Sequence, residues 1–245
     1  MTIAHATDLS GDDTAAFLHA LALAAHARSR LVTVYAGRET TAAPRAAELT
    51  AHWPWQIDHE FRHVTIADAV ADSVLEALRD VAPELVVVGT HARHGLGAVL
   101  HGSVAEAIAR NFSAPVLVVP NHVRGFVDPR AGTLDLTRVI IPAGHAREAR
   151  RGIDAARRFL TFTGQPERRL ELVHVGAPEP ELAGLGVTLT SVEGNLEDGI
   201  VGAARDACLL VMPTRGHDSA GDVVFGSHTE RVIRDARCPV LVVPL

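Results

Sequence analysis

Apolar runs of strand length alternate with helix-period patterns along the whole chain. Ile3–Thr7 reads as a strand. A helix follows from about Thr14 to Arg28, preceded by Asp12 and Asp13, which suit the positive end of a helix dipole. Leu31–Ala36 is the next strand, and a variable stretch with Pro44 and Pro54 leads to a third near Ile57–Thr65. Asp68 is placed to cap a helix whose inner face is Val70, Val74, Leu78 and Val81. Leu85–Val88 is a continuous apolar run, as expected of a strand buried on both faces. A glycine-containing loop then leads to a helix from about Ser103 to Asn111 and a strand at Val116–Val119.

The same order returns. Val139–Ala143, Leu170–Val175, Val187–Thr190, Leu209–Met212 and Val240–Val243 read as strands; Ala146–Phe162, Leu196–Ala207 and Ser227–Ala236 read as helices. At the end the repetition is nearly literal. Ala114-Pro115-Val116-Leu117-Val118-Val119-Pro120 returns as Cys238-Pro239-Val240-Leu241-Val242-Val243-Pro244, 124 residues later (239 − 115). Gly102-Ser103 returns as Gly226-Ser227, and Glu106 as Glu230. So long a period fits a small domain rather than a solenoid repeat. The expectation is two tandem α/β domains, residues 1–122 and 136–245, each an open, mostly parallel, Rossmann-like sheet with right-handed crossovers. Between Asn121 and Leu136 the chain has Gly125, Pro129 and Gly132 and no clear periodicity, so residues 123–135 are expected to be a linker.

Composition narrows the function classes. With 47% hydrophobic and 21% charged residues, each half has material for a core. A net charge of −6 argues against a nucleic-acid binder, which needs a basic face. Arg147, Arg150, Arg151, Arg157 and Arg158 fall at helical spacing with acids nearby and read as a solvated helix face. Cys208 and Cys238 sit in apolar, strand-like contexts and read as small buried hydrophobes of a reducing compartment. Met1-Thr2-Ile3 does not begin a signal peptide, and no apolar segment approaches a membrane span, so a cytoplasmic protein is expected.

The loop after Leu85–Val88 runs Gly89-Thr90-His91-Ala92-Arg93-His94-Gly95-Leu96-Gly97-Ala98-Val99-Leu100-His101-Gly102-Ser103. Glycine-rich turns let backbone N–H groups approach an anion, and the helix opening at Gly102-Ser103 offers further donors beyond the carboxyl end of a parallel strand. It is not a P-loop, and Gly95-x-Gly97-x-x-Leu100 fails the dinucleotide pattern at its third glycine. Ser103-x-x-Glu106 and Ser227-x-x-Glu230 are also capping boxes, which would serve only to start a helix, for about 1 kcal/mol. On spacing alone both readings stand.

Glycine, two residues, a second glycine, nine residues, then Gly-Ser, with a closing Pro-Val-Leu-Val-Val strand and a first strand ending in Asp8, is a pattern this chain resembles: that of the universal stress protein family, as two fused copies. The resemblance implies a five-stranded parallel sheet per copy, pairing of the copies through their last strands, and ATP bound in some members. Carried over, Asp8 would lie near ribose and metal, Ala36 would meet adenine through its backbone, and Gly89, Gly102 and Ser103 would form the phosphate loop. Ala92 stands where that loop's second glycine belongs; if the position needs positive φ, alanine costs about 1 kcal/mol. The second half departs further: Gly144 replaces the strand-end acid, Pro213 replaces the first loop glycine, and Asp218 and Asp222 add charge of the wrong sign, although Gly216, Gly226 and Ser227 remain.

The resulting expectation is a nucleotide-responsive stress or regulatory protein with ATP, with or without Mg, in its first half. The two halves would form an internal pseudo-dimer, and a further homodimer is left open. No general base is evident, so hydrolysis is expected to be weak at most. The alternatives are a ligand-free interaction protein of the same fold and an enzyme of the adenine-nucleotide α-hydrolase type, for which only Arg93 offers a catalytic group. His59-Glu60-Phe61-Arg62-His63 matches the H-E-x-x-H zinc motif but falls where a strand is expected; there the histidines stand roughly 13 Å apart with Glu60 on the other face. His91, His94 and His101 read as exposed loop residues, or as groups that could meet a phosphate or a metal. Trp53 and Trp55 read as packing against the partner domain or as a flap over the first cleft.

Overall fold

The computed structural model describes residues 1–36, 47–48, 50–51, 53–66, 69–90, 104–166, 168–177, 185–214 and 227–244. Strands β1 (Thr2–Thr7), β2 (Arg30–Tyr35), β3 (His59–His63), β4 (Leu85–Thr90) and β5 (Val116–Pro120) form the first half of the sheet. Strands β6 (Arg138–Pro142), β7 (Arg169–Val175), β8 (Thr188–Val192), β9 (Leu209–Thr214) and β10 (Val240–Pro244) form the second. The helices are α1 (Thr14–Ala27), α2 (Val70–Val81), α3 (Val104–Asn111), α4 (Ala146–Phe162), α5 (Leu196–Ala203) and α6 (Ser227–Asp235).

All the strands join one sheet in the order β3-β2-β1-β4-β5-β10-β9-β6-β7-β8. Neighbours are parallel within each half; β5 and β10 are antiparallel. Leu117 pairs with Leu241, its own repeat counterpart, with Val118–Val240 and Val116–Val242 on either side. A pseudo-two-fold axis therefore passes through the Leu117–Leu241 pair. The period of two in a strand sends Leu117 and Leu241 to one face and the flanking valines to the other. Both faces are covered, which is why these strands read as unbroken apolar runs. One face carries α1 and α4; the other carries α2, α3, α5 and α6. Across the join, Arg110 of α3 contacts Glu106 at 2.8 Å and Glu230 of α6 at 2.7 Å.

The connection between the halves, residues 121–137, is packed. Val127 and Leu134 form an antiparallel bridge, and Val123, Phe126, Val127, Leu134 and Leu136 are buried in one cluster with α1 and α4. The turn is held by the Asp128 carboxylate, which accepts N–H bonds from Arg130 (2.8 Å) and Ala131 (2.9 Å); these bonds hold its pKa below the usual value. His19 of α1 ties this hairpin down. It is fully buried, its Nδ1 donates to the Ala15 carbonyl (2.7 Å), and its Nε2 accepts the Phe126 N–H (3.1 Å). Burial pushes its pKa down to about 4. Gly125 has φ +75°, and a Cβ there would stand 2.2 Å from the His19 ring, so the residue must be glycine on both counts.

The tryptophans pack on the same hairpin, not over a cleft. Trp55 lies 5.8 Å from the His26 ring near the end of α1, with its Nε1 3.4 Å from the Ala131 carbonyl, and Trp53 abuts the main core. The end of α1 lies at the sheet edge opposite the strand C-termini. The residue before α2 is Ala69, without a side-chain cap bond, and Asp68 falls outside the described residues. Val74 and Leu78 face the core as expected, but Val70 is exposed, because Val70 begins α2 before the helix reaches the sheet. Cys238 is buried, and its thiol is pushed up to about 12 by burial, with Cys208 nearby adding to the effect. Cys208 is only half-buried, since it precedes β9 at the sheet's end rather than lying inside it. The arginines of α4 lie on its outer side, as expected, opposite buried Ala149, Ile153, Ala156 and Leu160.

Candidate functional site

The first-half strands deliver three of the sequence-predicted residues to one end of the sheet. Asp8 follows β1, Ala36 follows β2, and Gly89 lies near the end of β4, with β1 between the other two strands. This is the point where the chain's crossovers leave in opposite directions, α1 to one face and α3 to the other, and where open α/β sheets leave a crevice.

Asp8 is exposed, and its Oδ1 accepts the Ser10 N–H at 2.9 Å. Between them Leu9 adopts φ +54°, a conformation rare for a branched side chain. The Thr7 hydroxyl accepts the Leu9 N–H at 2.7 Å and itself donates to Asp13 Oδ2. The Leu9 side chain is buried against Tyr35. The Ala36 N–H is already donated to the Thr7 carbonyl (3.2 Å), so a base lying there would have to use the Ala36 carbonyl. Gly89 is buried, and a Cβ on it would lie 2.5 Å from Asp13 Oδ1. Ala92, Gly102 and Ser103 lie outside the described residues, as do His91, Arg93, His94 and His101.

Sequence reading missed Asp13 and His5. Asp12 and Asp13 were expected to serve the helix dipole; Asp12 is exposed, but Asp13 turns inward and is 3% exposed. His5 is fully buried, with its Nε2 3.0 Å from Asp13 Oδ2. The approach is close but not aligned, and neither ring nitrogen of His5 has a directed hydrogen bond. The available signal was His5 itself, a polar side chain two residues from Ile3 on the core-facing side of a strand.

The H-E-x-x-H segment is strand β3, as expected. His59 turns inward to Thr33 Oγ1 (2.8 Å), and burial, then the nearby His5, pushes its pKa down to about 4. Glu60 points to the other face, where it pairs with Arg30 and Arg62. Among the described residues no group of His, Cys, Asp and Glu side chains gathers as a metal site. No described helix is long and apolar enough to cross a membrane.

At the matching register positions the second half carries Gly144, Val175 and Pro213. His145 and Glu148 cap α4 reciprocally: His145 Nδ1 accepts the Glu148 N–H, and Glu148 Oε2 accepts the Gly144 N–H (3.0 Å). The Gly144 N–H, one donor that an anion could use there, is thus taken by the Glu148 carboxylate. Gly216, Asp218, Asp222 and Gly226 lie outside the described residues. A groove of about 320 Å³ lies between the start of α1 and the hairpin, lined by residues including Thr14, Leu18, Asn121 and Arg124.

Two comparisons bear on this arrangement. The sequence model of the Universal stress protein family matches residues 1–120 and 136–244. The crystal structure of a universal stress protein from Archaeoglobus fulgidus DSM 4304 is similar over 99% of this chain and 98% of its own, with a TM-score of 0.68 and 19% identity. A functionally unknown protein from Pseudomonas aeruginosa PAO1 is similar over 99% of this chain and 92% of its own, with a TM-score of 0.69 and 15% identity. At those identities the likeness speaks to the fold alone. No curated protein matches. The doubled sheet order and the two-segment match agree: the chain belongs to the universal stress protein family and carries two of its domains in tandem.

Proposed function

We propose that the first half binds an adenine nucleotide at the ends of β1, β2 and β4 and that the second half serves as its structural partner, the chain acting as a nucleotide-responsive regulatory protein. The observation that carries this reading is the asymmetry of two otherwise matching strand-end sites. The first half has an exposed Asp8 and a Gly89 without a side chain; the second has Gly144 and Pro213, with its helix start closed by Glu148. In this reading the ribose meets Asp8, and the base lies near the Ala36 carbonyl. The phosphates meet backbone donors from Gly89 to Ala92 and at Gly102 and Ser103. Asp8 supplies the hard oxygen ligand that magnesium takes.

The test is a thermal-shift titration with Mg-ATP. Ligand at a hundred times its dissociation constant adds about 2.7 kcal/mol, which raises the melting temperature of a chain this size by roughly 5–10 °C. Asp8→Ala and Gly102→Val should abolish the shift, and Gly226→Val should leave it intact. One observation favours a second reading, the ligand-free interaction protein: Leu9 and Tyr35 already pack against each other beside Ala36. A wild-type chain that shows no shift at about millimolar nucleotide would support that reading instead.

A further inference from the structure

The second half of the chain is an internal control for the first. Ile3 and Val139 pair with the equivalent residues Leu85 and Leu209, which equates β1 with β6. Through Leu31 and Leu170 the same register equates β2 with β7, and it sets His59 opposite the place of Val187. On the face covered by α1, the first half carries His5, Thr7, Asp13, Thr33 and His59. At the equivalent places the second half carries Ile141, Ala143, Ala149, Leu172 and Val187. Every polar member has an apolar counterpart, and the apolar set is well packed: Ile141 and Ala149 are fully buried and Leu172 is 1% exposed.

The fold therefore has a working apolar solution for this face. Burying an imidazole and a carboxylate is unfavourable unless both are well satisfied, and His5 is not. What the polar set does instead is visible in its connections. Asp13 accepts the Thr7 hydroxyl, Thr7 accepts the Leu9 N–H, and the strained Leu9 turn sets the direction of Asp8. The other Asp13 oxygen occupies the space that a side chain on Gly89 would need. Both ends change together in the second half, where alanine replaces Asp13 and proline replaces Gly89, the Pro213 ring lying near Gly152.

We infer that Asp13, held by His5 and Thr7, is a positioning residue that sets the Asp8 turn and the end of β4 relative to each other. What it positions them for rests on the nucleotide reading above; the positioning itself does not.

The test transplants the second half's residues: His5→Ile, Thr7→Ala and Asp13→Ala together in the full chain. The melting temperature without ligand should stay at or above that of the wild type. Amide hydrogen exchange at Leu9, Ser10 and Thr90 should quicken about tenfold, and Mg-ATP affinity should fall by about tenfold, the equivalent of one or two lost hydrogen bonds. Thr7→Val, which keeps the volume and removes the hydroxyl, should reproduce the change at Leu9 alone. A triple variant that fails to fold, or melts well below the wild type, overturns the inference, because the polar set would then be structural. Unchanged exchange at Leu9 and Thr90 overturns it as well. If the wild type binds no nucleotide, the proposed function falls, and the exchange data alone decide this inference.

Discussion

Acid should loosen the contact between α1 and the hairpin through a single proton. His19 Nδ1 donates to Ala15, so its Nε2 must remain unprotonated to accept the Phe126 N–H. A second proton would set two donors against each other in a fully buried site. Burial accordingly lowers the pKa from 6.5 to about 4. In the unfolded chain the same imidazole takes up its proton near pH 6.5, so between those values the unfolded state holds more protons. The contribution is fully present above pH 6.5 and is lost as pH falls toward 4. A difference of about 2.5 pH units corresponds to roughly 3 kcal/mol, with a slope of up to about 1.4 kcal/mol per pH unit inside the window. His59 is depressed in the same direction, so the wild-type profile alone does not isolate His19. The comparison is with His19→Gln, whose amide can both donate to Ala15 and accept from Phe126 without titrating. Urea unfolding of both proteins at several pH values from 7 to 4 gives the difference in stability. That difference should move by about 3 kcal/mol in favour of the variant as pH falls. A difference that stays constant with pH would refute the assignment of a buried, neutral, singly protonated ring.

Three further outcomes follow from the same structure. Gly125→Ala should cost about 2–4 kcal/mol, from the positive φ and from the displaced His19 ring, and should lower the melting temperature by on the order of 10 °C. At pH 8 a thiol reagent should modify Cys208 quickly and Cys238 only on unfolding, because burial keeps the Cys238 thiol protonated; Cys208→Ser should remove the fast phase. Arg110→Ala should lower stability by about 1 kcal/mol at low salt and less at high salt, read by urea midpoints, since the arginine joins Glu106 and Glu230 across the two halves.

Most of the fold could be read before the coordinates because it is written in period. Fully buried strands such as β4 and β10 are unbroken apolar runs, and α4 runs from Ala146 to Phe162 as its pattern predicts. The hairpin at 126–135 was not legible, because its order comes from distant partners: His19 in α1, Phe159 in α4 and the two tryptophans. Helix α5 ends at Ala203, short of its expected end, because a turn, not a further helical turn, follows. Asp8, Ala36 and Gly89 were named from the family pattern and lie at the ends of the neighbouring strands β1, β2 and β4. Asp13 was misread because an acid before a helix has a ready explanation at the helix dipole. Only a position-by-position comparison of the two halves, with His5 against Ile141 and Asp13 against Ala149, brings its other role forward.

The Leu117–Leu241 pair has a consequence for how such a chain can diverge. In an association of two identical subunits, every substitution strikes both copies, and neither can specialise without the other. Here one peptide carries both, so each side of the seam is free to drift by itself, and tethering keeps the pair together even when one side weakens. A lone active pocket beside a silent twin is an outcome that this covalent tether permits and that a symmetric assembly forbids.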